Sequence, residues 1–265
     1  FPPLGVQLIV FTKEADIEKD TEAVLDSVKA SGFRAIECGV TMHAVDPGLF
    51  KAMLDERGLV VAGLHGGLDQ DLDQTFALMD AYNTRDLCIS GIGNWEANDA
   101  QRCLQDIERL NEMGKRCLEQ GIFLHYHNHA YEFVALDEGS STMDLLLTHM
   151  DKSVVDLCVD VAWVRIGGQD PAIFLRKHAE NVGYVHLKDY VGDRHWVELG
   201  YGVVPMESVI KAVEKLPRAR WVVYEQDTTE RAAVESLTIS YRYLQDALGL
   251  RSEERRVGKE CRSRW

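Results

Sequence analysis

The sequence predicts one fold class: an α/β chain forming a single (β/α)8 TIM barrel. Three observations carry that expectation. Eight short, apolar, β-branched runs recur about every 26 to 37 residues, the near-continuous pattern of strands buried on both faces. Segments with helical period lie between them. The length, 265 residues, suits one such barrel, which typically has about 250. An open doubly wound sheet is the rival. It lacks its fingerprint, because no G-x-G-x-x-G follows the first run.

The elements follow in order. Val6–Val10 is the first strand. Asp20–Ala30 places Ala23, Val24 and Val28 on one helical face. Ala35–Cys38 is the second strand. Asp46 then caps a helix with Pro47 at its first position; Leu49, Phe50, Met53 and Leu54 form its apolar face, and Arg57-Gly58 ends it. Val60–Leu64 and Leu87–Ser90 are strands three and four. Gln101–Gln120 sets Leu104, Ile107, Leu110 and Met113 at spacings of three. Ile122–His127 and Asp156–Val161 are strands five and six. Asp170-Pro171 repeats the cap-plus-proline signal before Ile173 and Phe174. Tyr184–Leu187, the helix Pro205–Leu216, the strand Trp221–Tyr224 and the helix Arg231–Leu248 complete the pattern.

Residues 1–250 thus read as one catalytic barrel. The segment 251–265, RSEERRVGKECRSRW, has no apolar period and resembles a translated DNA-sequencing adapter, so it is expected to be a non-native C-terminal scar. The net charge of −14 weighs against a nucleic-acid partner, whose phosphates attract basic surfaces. No apolar run approaches the ~20 residues of a membrane span, so no membrane partner is expected. The six cysteines, Cys38, Cys88, Cys103, Cys117, Cys158 and Cys261, form no C-x-x-C pair. Buried reduced thiols and a cytoplasmic location are the expectation, with an export signal upstream of Phe1 still compatible.

In a TIM barrel, chemistry sits at the C-terminal ends of the strands. There the runs carry Glu37, His65, the cluster His125-Tyr126-His127-Asn128-His129, Asp160, His186-Leu187-Lys188-Asp189 and Glu225. A carboxylate inside an apolar strand must be paired or bound to metal. Strands five to eight offer His, Asp, His and Glu at matching depth. That mixture suits one divalent ion among Mn, Zn, Co and Fe. His125, His127 and His129 share a face by the two-residue period of a strand, so either His127 or His129 can be the strand-five ligand.

The residues that carry these features resemble the sugar phosphate isomerase/epimerase family of xylose isomerase-like barrels. The matching motifs are Gly121-Ile-Phe-Leu-His-Tyr-His127-Asn-His-Ala-Tyr-Glu132-Phe, Val159-Asp160-Val-Ala-Trp163 with Gly168-Gln-Asp-Pro171, Tyr184-Val-His186-Leu-Lys188-Asp189, Glu198-Leu-Gly200-Tyr-Gly202 and Tyr224-Glu225. They place the chain in a branch marked YHNH-x-x-EF. The resemblance implies one divalent metal, with Mn favoured, held by His127, Asp160, His186 and Glu225. His127 stands where sugar epimerases usually have a Glu, and Trp163 where many relatives have a His.

The implied chemistry is proton removal next to the carbonyl of a sugar, keto-sugar or inositol, through an enediolate. Glu225 would be the base, and Lys188 or Glu132 would return or relay the proton. Glu37, His65 and His129 would hold substrate hydroxyls, and Trp163 would stack on the ring. Isomerase or epimerase activity is the leading expectation. Dehydratase or 3-keto-glycoside lyase or hydrolase activity on the same scaffold is the alternative. A non-catalytic sugar-binding barrel and an abasic-site endonuclease are the rivals from other classes, the second disfavoured by the acidic balance. The expected partner is a small carbohydrate, and a homo-oligomer is compatible with the sequence.

Overall fold

A computed structural model of the chain describes residues 1–40, 45–95, 99–136 and 139–249. Ten strands occur among them: β1 (Leu4–Gln7), β2 (Ala35–Gly39), β3 (Val60–Gly67), β4 (Asp86–Ser90), β5 (Phe123–His127), β6 (Val155–Asp160), β7 (Val182–Leu187), β8 (Asp189–Val191), β9 (His195–Val197) and β10 (Trp221–Tyr224). Eight of them close a parallel barrel in the order β1-β10-β7-β6-β5-β4-β3-β2. The (β/α)8 expectation therefore holds. The other two, β8 and β9, form a small antiparallel hairpin just after β7.

The surrounding helices are α1 (Thr21–Ser31), α2 (Pro47–Arg57), α3 (Leu72–Tyr82), α4 (Ala100–Glu119), α5 (Thr142–His149), α6 (Val161–Ile166), α7 (Pro171–Lys177), α8 (Met206–Val213) and α9 (Ala233–Ala247). Three of these, α3, α5 and α6, go beyond the six helices read from the sequence. Each begins at a side-chain cap. Asp71 accepts from Asp73 N and Gln74 N, Ser141 and Asp144 form a capping box, and Asp160 caps α6. The first strand also ends earlier than its apolar run. The chain coils into a 3-10 turn over Leu8–Phe11, with the Gln7 side chain accepting from Ile9 N.

Strand alternation sorts the interior into three tiers. At the N-terminal end, Asp86 pairs with His125 (2.9 Å) and Arg220 (2.6 Å), and Asp156 pairs with Arg218 (3.2 Å). In the middle lie Ala35, Ala62, Cys88, Cys158, Tyr184 and Val223. At the C-terminal end stand Glu37, His127, Asp160, His186 and Glu225, all buried. The large apolar core lies outside the barrel, between strands and helices. All five described cysteines are buried and free. Among the described residues no helix is long and apolar enough to cross a membrane. The 251–265 segment lies outside the described residues.

Candidate metal centre at the barrel mouth

One side-chain atom each from His127, Asp160, His186 and Glu225 lies within 4.8 Å of the other three, and all four residues are buried. These are the ends of β5, β6 and β7 and the residue after β10. His186 Nδ1 and Glu225 Oε2 form a close ion-pair contact without a hydrogen bond, and Asp160 Oδ2 has no hydrogen-bond partner, with Lys188 Nζ 3.8 Å away. A buried, unpaired polar atom costs about 1–3 kcal/mol. Three such atoms converging on one point fit a bound cation. The charges agree. Glu37, Asp160, Glu225 and Asp227 gather here, and among the described residues Lys188 is the sole lysine or arginine paired with any of them.

Each donor is aimed by a partner. Asp160 spends Oδ1 on the first turn of α6, accepting from Ala162 N (2.9 Å) and Trp163 N (3.0 Å), which leaves Oδ2 free. Asn128, on the opposite face of β5, clamps the Asp160 backbone through N–H and C=O. His186 Nε2 meets Glu37 Oε2 at 2.9 Å, leaving Nδ1 for the centre. His127 Nδ1 lies 3.7 Å from Cys158 Sγ. Ligating histidines are commonly held by such contacts at the other ring nitrogen.

Burial raises the Asp160 pKa to about 7, against the pull of Lys188 and with the repulsion of Glu225. Burial and neighbouring histidines hold the His127 pKa well below its usual value, so it is neutral and able to ligate. His129 is likewise neutral, its pKa lowered to about 3 chiefly by burial. Burial would raise the Glu37 pKa, but His186 and His65 overcome this and bring it to about 2.

Lys188 is buried among Glu225 (2.9 Å), Asp227 (2.5 Å) and Asp160 (3.8 Å). Its ammonium lies 4.3 Å from the Trp196 ring and 5.0 Å from Trp163. Among the described residues Lys188 makes no ion pair with the neighbouring Asp189. Asp189 instead accepts from the backbone N–H groups of Tyr190, Gly200, Gly202 and Val204. The His129 ring packs beside Trp95, Tyr131 and Trp163, so aromatic faces line this side of the mouth.

Two residues are held by partners that the sequence reading did not give them. Glu37 is fully buried and bridges His186 and His65 (3.1 Å), a position that orients both rings. Glu132 is also fully buried. Its oxygens accept from Tyr126 OH and His129 N, both at 2.8 Å, behind β5 on the helix side. It holds the turn that presents His129. His65 keeps a position beside the cluster, bonded to Ser90 as well as Glu37. Trp163 and His129 stand beside it too.

The sequence reading assigned no site role to Cys158, Asn128 or Asp227. Parity offered a signal for two of these. Cys158 lies two residues before Asp160 and Asp227 two after Glu225, on the same strand face. Trp196 depends on the β8–β9 hairpin, which no periodicity announced.

A curated relative, the inosose dehydratase of Geobacillus kaustophilus, is 27% identical over 194 residues, covering 63% of this chain and 61% of that protein. The match thus spans less than two thirds of that relative's length. Among solved structures, a sugar phosphate isomerase/epimerase from Parabacteroides distasonis superimposes with a TM-score of 0.79 at 20% identity, covering 92% of this chain and 93% of the other. A structure of the IOLI protein with a binding zinc atom gives 0.70 at 12% identity, covering 92% and 97%. The family profile described as xylose isomerase-like TIM barrel matches residues 25–243, and the chain belongs to that family.

Proposed function

We propose that this protein is a divalent-metal-dependent enzyme acting next to the carbonyl of a small carbohydrate: a sugar, keto-sugar or inositol. Its metal ligands are His127, Asp160, His186 and Glu225. The observation that carries the reading is the convergence of three buried atoms without hydrogen bonds, His186 Nδ1, Glu225 Oε2 and Asp160 Oδ2, beside His127. Two imidazoles and two carboxylates suit Mn, Zn, Co or Fe, and Mn stays the favoured ion. When bound, such an ion supplies Lewis-acid polarisation of the carbonyl and charge neutralisation.

The protein's own groups perform the proton chemistry. Glu225, fixed between His186 and Lys188, takes the proton from the carbon beside the carbonyl. Lys188, tied to Asp227, delivers a proton to a departing or newly charged oxygen. Trp163 and His129 pack on the ring face. His65, held by Glu37 and Ser90, lines the site beside them.

The second reading, loss of water, is favoured by one observation. Epimerisation by two bases needs a second carboxylate on the opposite face, and Glu132 is locked behind β5. A single base with an ammonium acid is enough for isomerisation or for loss of a β-hydroxyl. The inosose dehydratase relatives agree with the latter.

The test is a panel of keto-sugars, inososes and 3-keto-glycosides incubated with the Mn- or Zn-loaded protein in deuterated water. Deuterium uptake without mass loss marks isomerase or epimerase chemistry. Loss of water or of an aglycone marks a lyase. A folded, metal-loaded protein that neither exchanges nor converts any member would overturn the enzyme reading in favour of a carbohydrate-binding barrel.

A further inference from the structure

The middle tier holds two thiols that the proposed chemistry leaves unused, and they reach up to a histidine of the mouth. Cys88 on β4, Cys158 on β6 and His186 on β7 each place one donor atom within 4.8 Å of the other two, and all are buried. Glu37 Oε2 stands beside them, 4.0 Å from Cys88 Sγ and 2.9 Å from His186 Nε2. Donors around a tetrahedral zinc with thiolate and imidazole ligands lie about 3.5–3.8 Å apart, so shifts of up to about 1 Å complete the geometry.

Two further observations favour an occupant. TIM-barrel interiors are usually filled by bulky branched side chains. Here the small side chains Ala35 and Ala62 share the tier with the thiols. The Tyr184 hydroxyl in the same tier is fully buried with no hydrogen-bond partner.

We propose that Cys88, Cys158 and His186, with Glu37 as the fourth donor, form a second metal site one tier below the mouth, selective for a thiophilic ion such as Zn(II), Co(II) or Cd(II). The upper set, two nitrogens and two carboxylates, suits borderline and harder ions, whereas two sulfurs favour soft ones. On binding, the two thiols release their protons to solvent, the remaining ring N–H of His186 is released as well when both sites are filled and the ring bridges them as an imidazolate, and the ion keeps its oxidation state. His186 then lies between the two ions and couples them.

The experiment titrates the metal-free protein with Co(II) alone, following stoichiometry and the near-ultraviolet thiolate-to-cobalt charge-transfer band. Two equivalents and a sulfur band are expected. Cys88→Ser with Cys158→Ser is expected to lose the band and one equivalent. Asp160→Asn with Glu225→Gln is expected to lose the other equivalent and keep the band. X-ray absorption of the cobalt-loaded wild type adds a readout independent of any variant, with Co–S scattering expected near the ~2.3 Å typical of zinc thiolates. One equivalent with neither band nor sulfur scattering overturns the lower site and leaves the upper one standing. One equivalent with the band overturns the upper site and supports the lower.

Discussion

At the scale of single residues, the site depends on side chains that do not touch its centre. Glu37 fixes the ring of His186 and that of His65 from one carboxylate. Removing an orienting partner of a ligating histidine typically costs 10–100-fold in metal affinity. Glu37→Gln is therefore expected to weaken Mn or Zn binding by that factor in calorimetric titration, with the fold retained. Glu132 offers the opposite test. It accepts from the His129 backbone and from Tyr126, and a glutamine oxygen can keep one of those bonds. Loss of a general base lowers a rate by about 10²–10⁴-fold. Glu132→Gln is expected to lower turnover of a confirmed substrate by less than about tenfold, and a loss in the general-base range would return Glu132 to the chemistry.

At the scale of elements, the barrel was legible because its strands are uninterrupted apolar runs that no other element imitates. The strand-end donors were legible for the same reason. An aspartate or histidine closing such a run contradicts its surroundings, as Asp160 and His186 do. What escaped was set by contacts distant in sequence. Only the partners across the barrel, His186 and His65, show that Glu37 is bonded to two histidine rings. The β8–β9 hairpin is three residues a side and depends on Asp189, whose carboxylate gathers four backbone N–H groups and ties residues 200–204 beneath it. Asp189→Ala orphans those donors. We expect a loss of about 1–3 kcal/mol in urea unfolding and faster hydrogen exchange at Gly200, Gly202 and Val204, with exchange on the strand amides away from the hairpin unchanged. Uniform acceleration over the barrel would show that the anchor acts globally instead.

At the scale of the whole molecule, the chain has a net charge of −14 and also concentrates carboxylates inside its barrel. Such an interior is a stability burden until a cation enters. Asp160 measures it. Its folded-state pKa of about 7 exceeds the ordinary value of 3.8, so its contribution to stability is fully present below pH 3.8 and is lost as pH rises through 7. The loss is on the order of 4 kcal/mol at pH 8, from about 1.36 kcal/mol per pKa unit over the shift from 3.8 to about 7. Asparagine keeps the oxygen that caps α6 and carries no charge. The metal-free Asp160→Asn protein is therefore expected to be more stable than metal-free wild type at pH 8, and nearly equal to it at pH 4. Added Mn or Zn should reverse the order. The wild type gains RT ln(1 + [L]/Kd), about 2.7 kcal/mol at a hundredfold excess over Kd, and the variant gains little. Denaturant melts at the two pH values, with and without metal, read all four states. A variant less stable than wild type in the metal-free state at pH 8 would show that Asp160 stabilises the fold by itself and is not held in reserve for a cation.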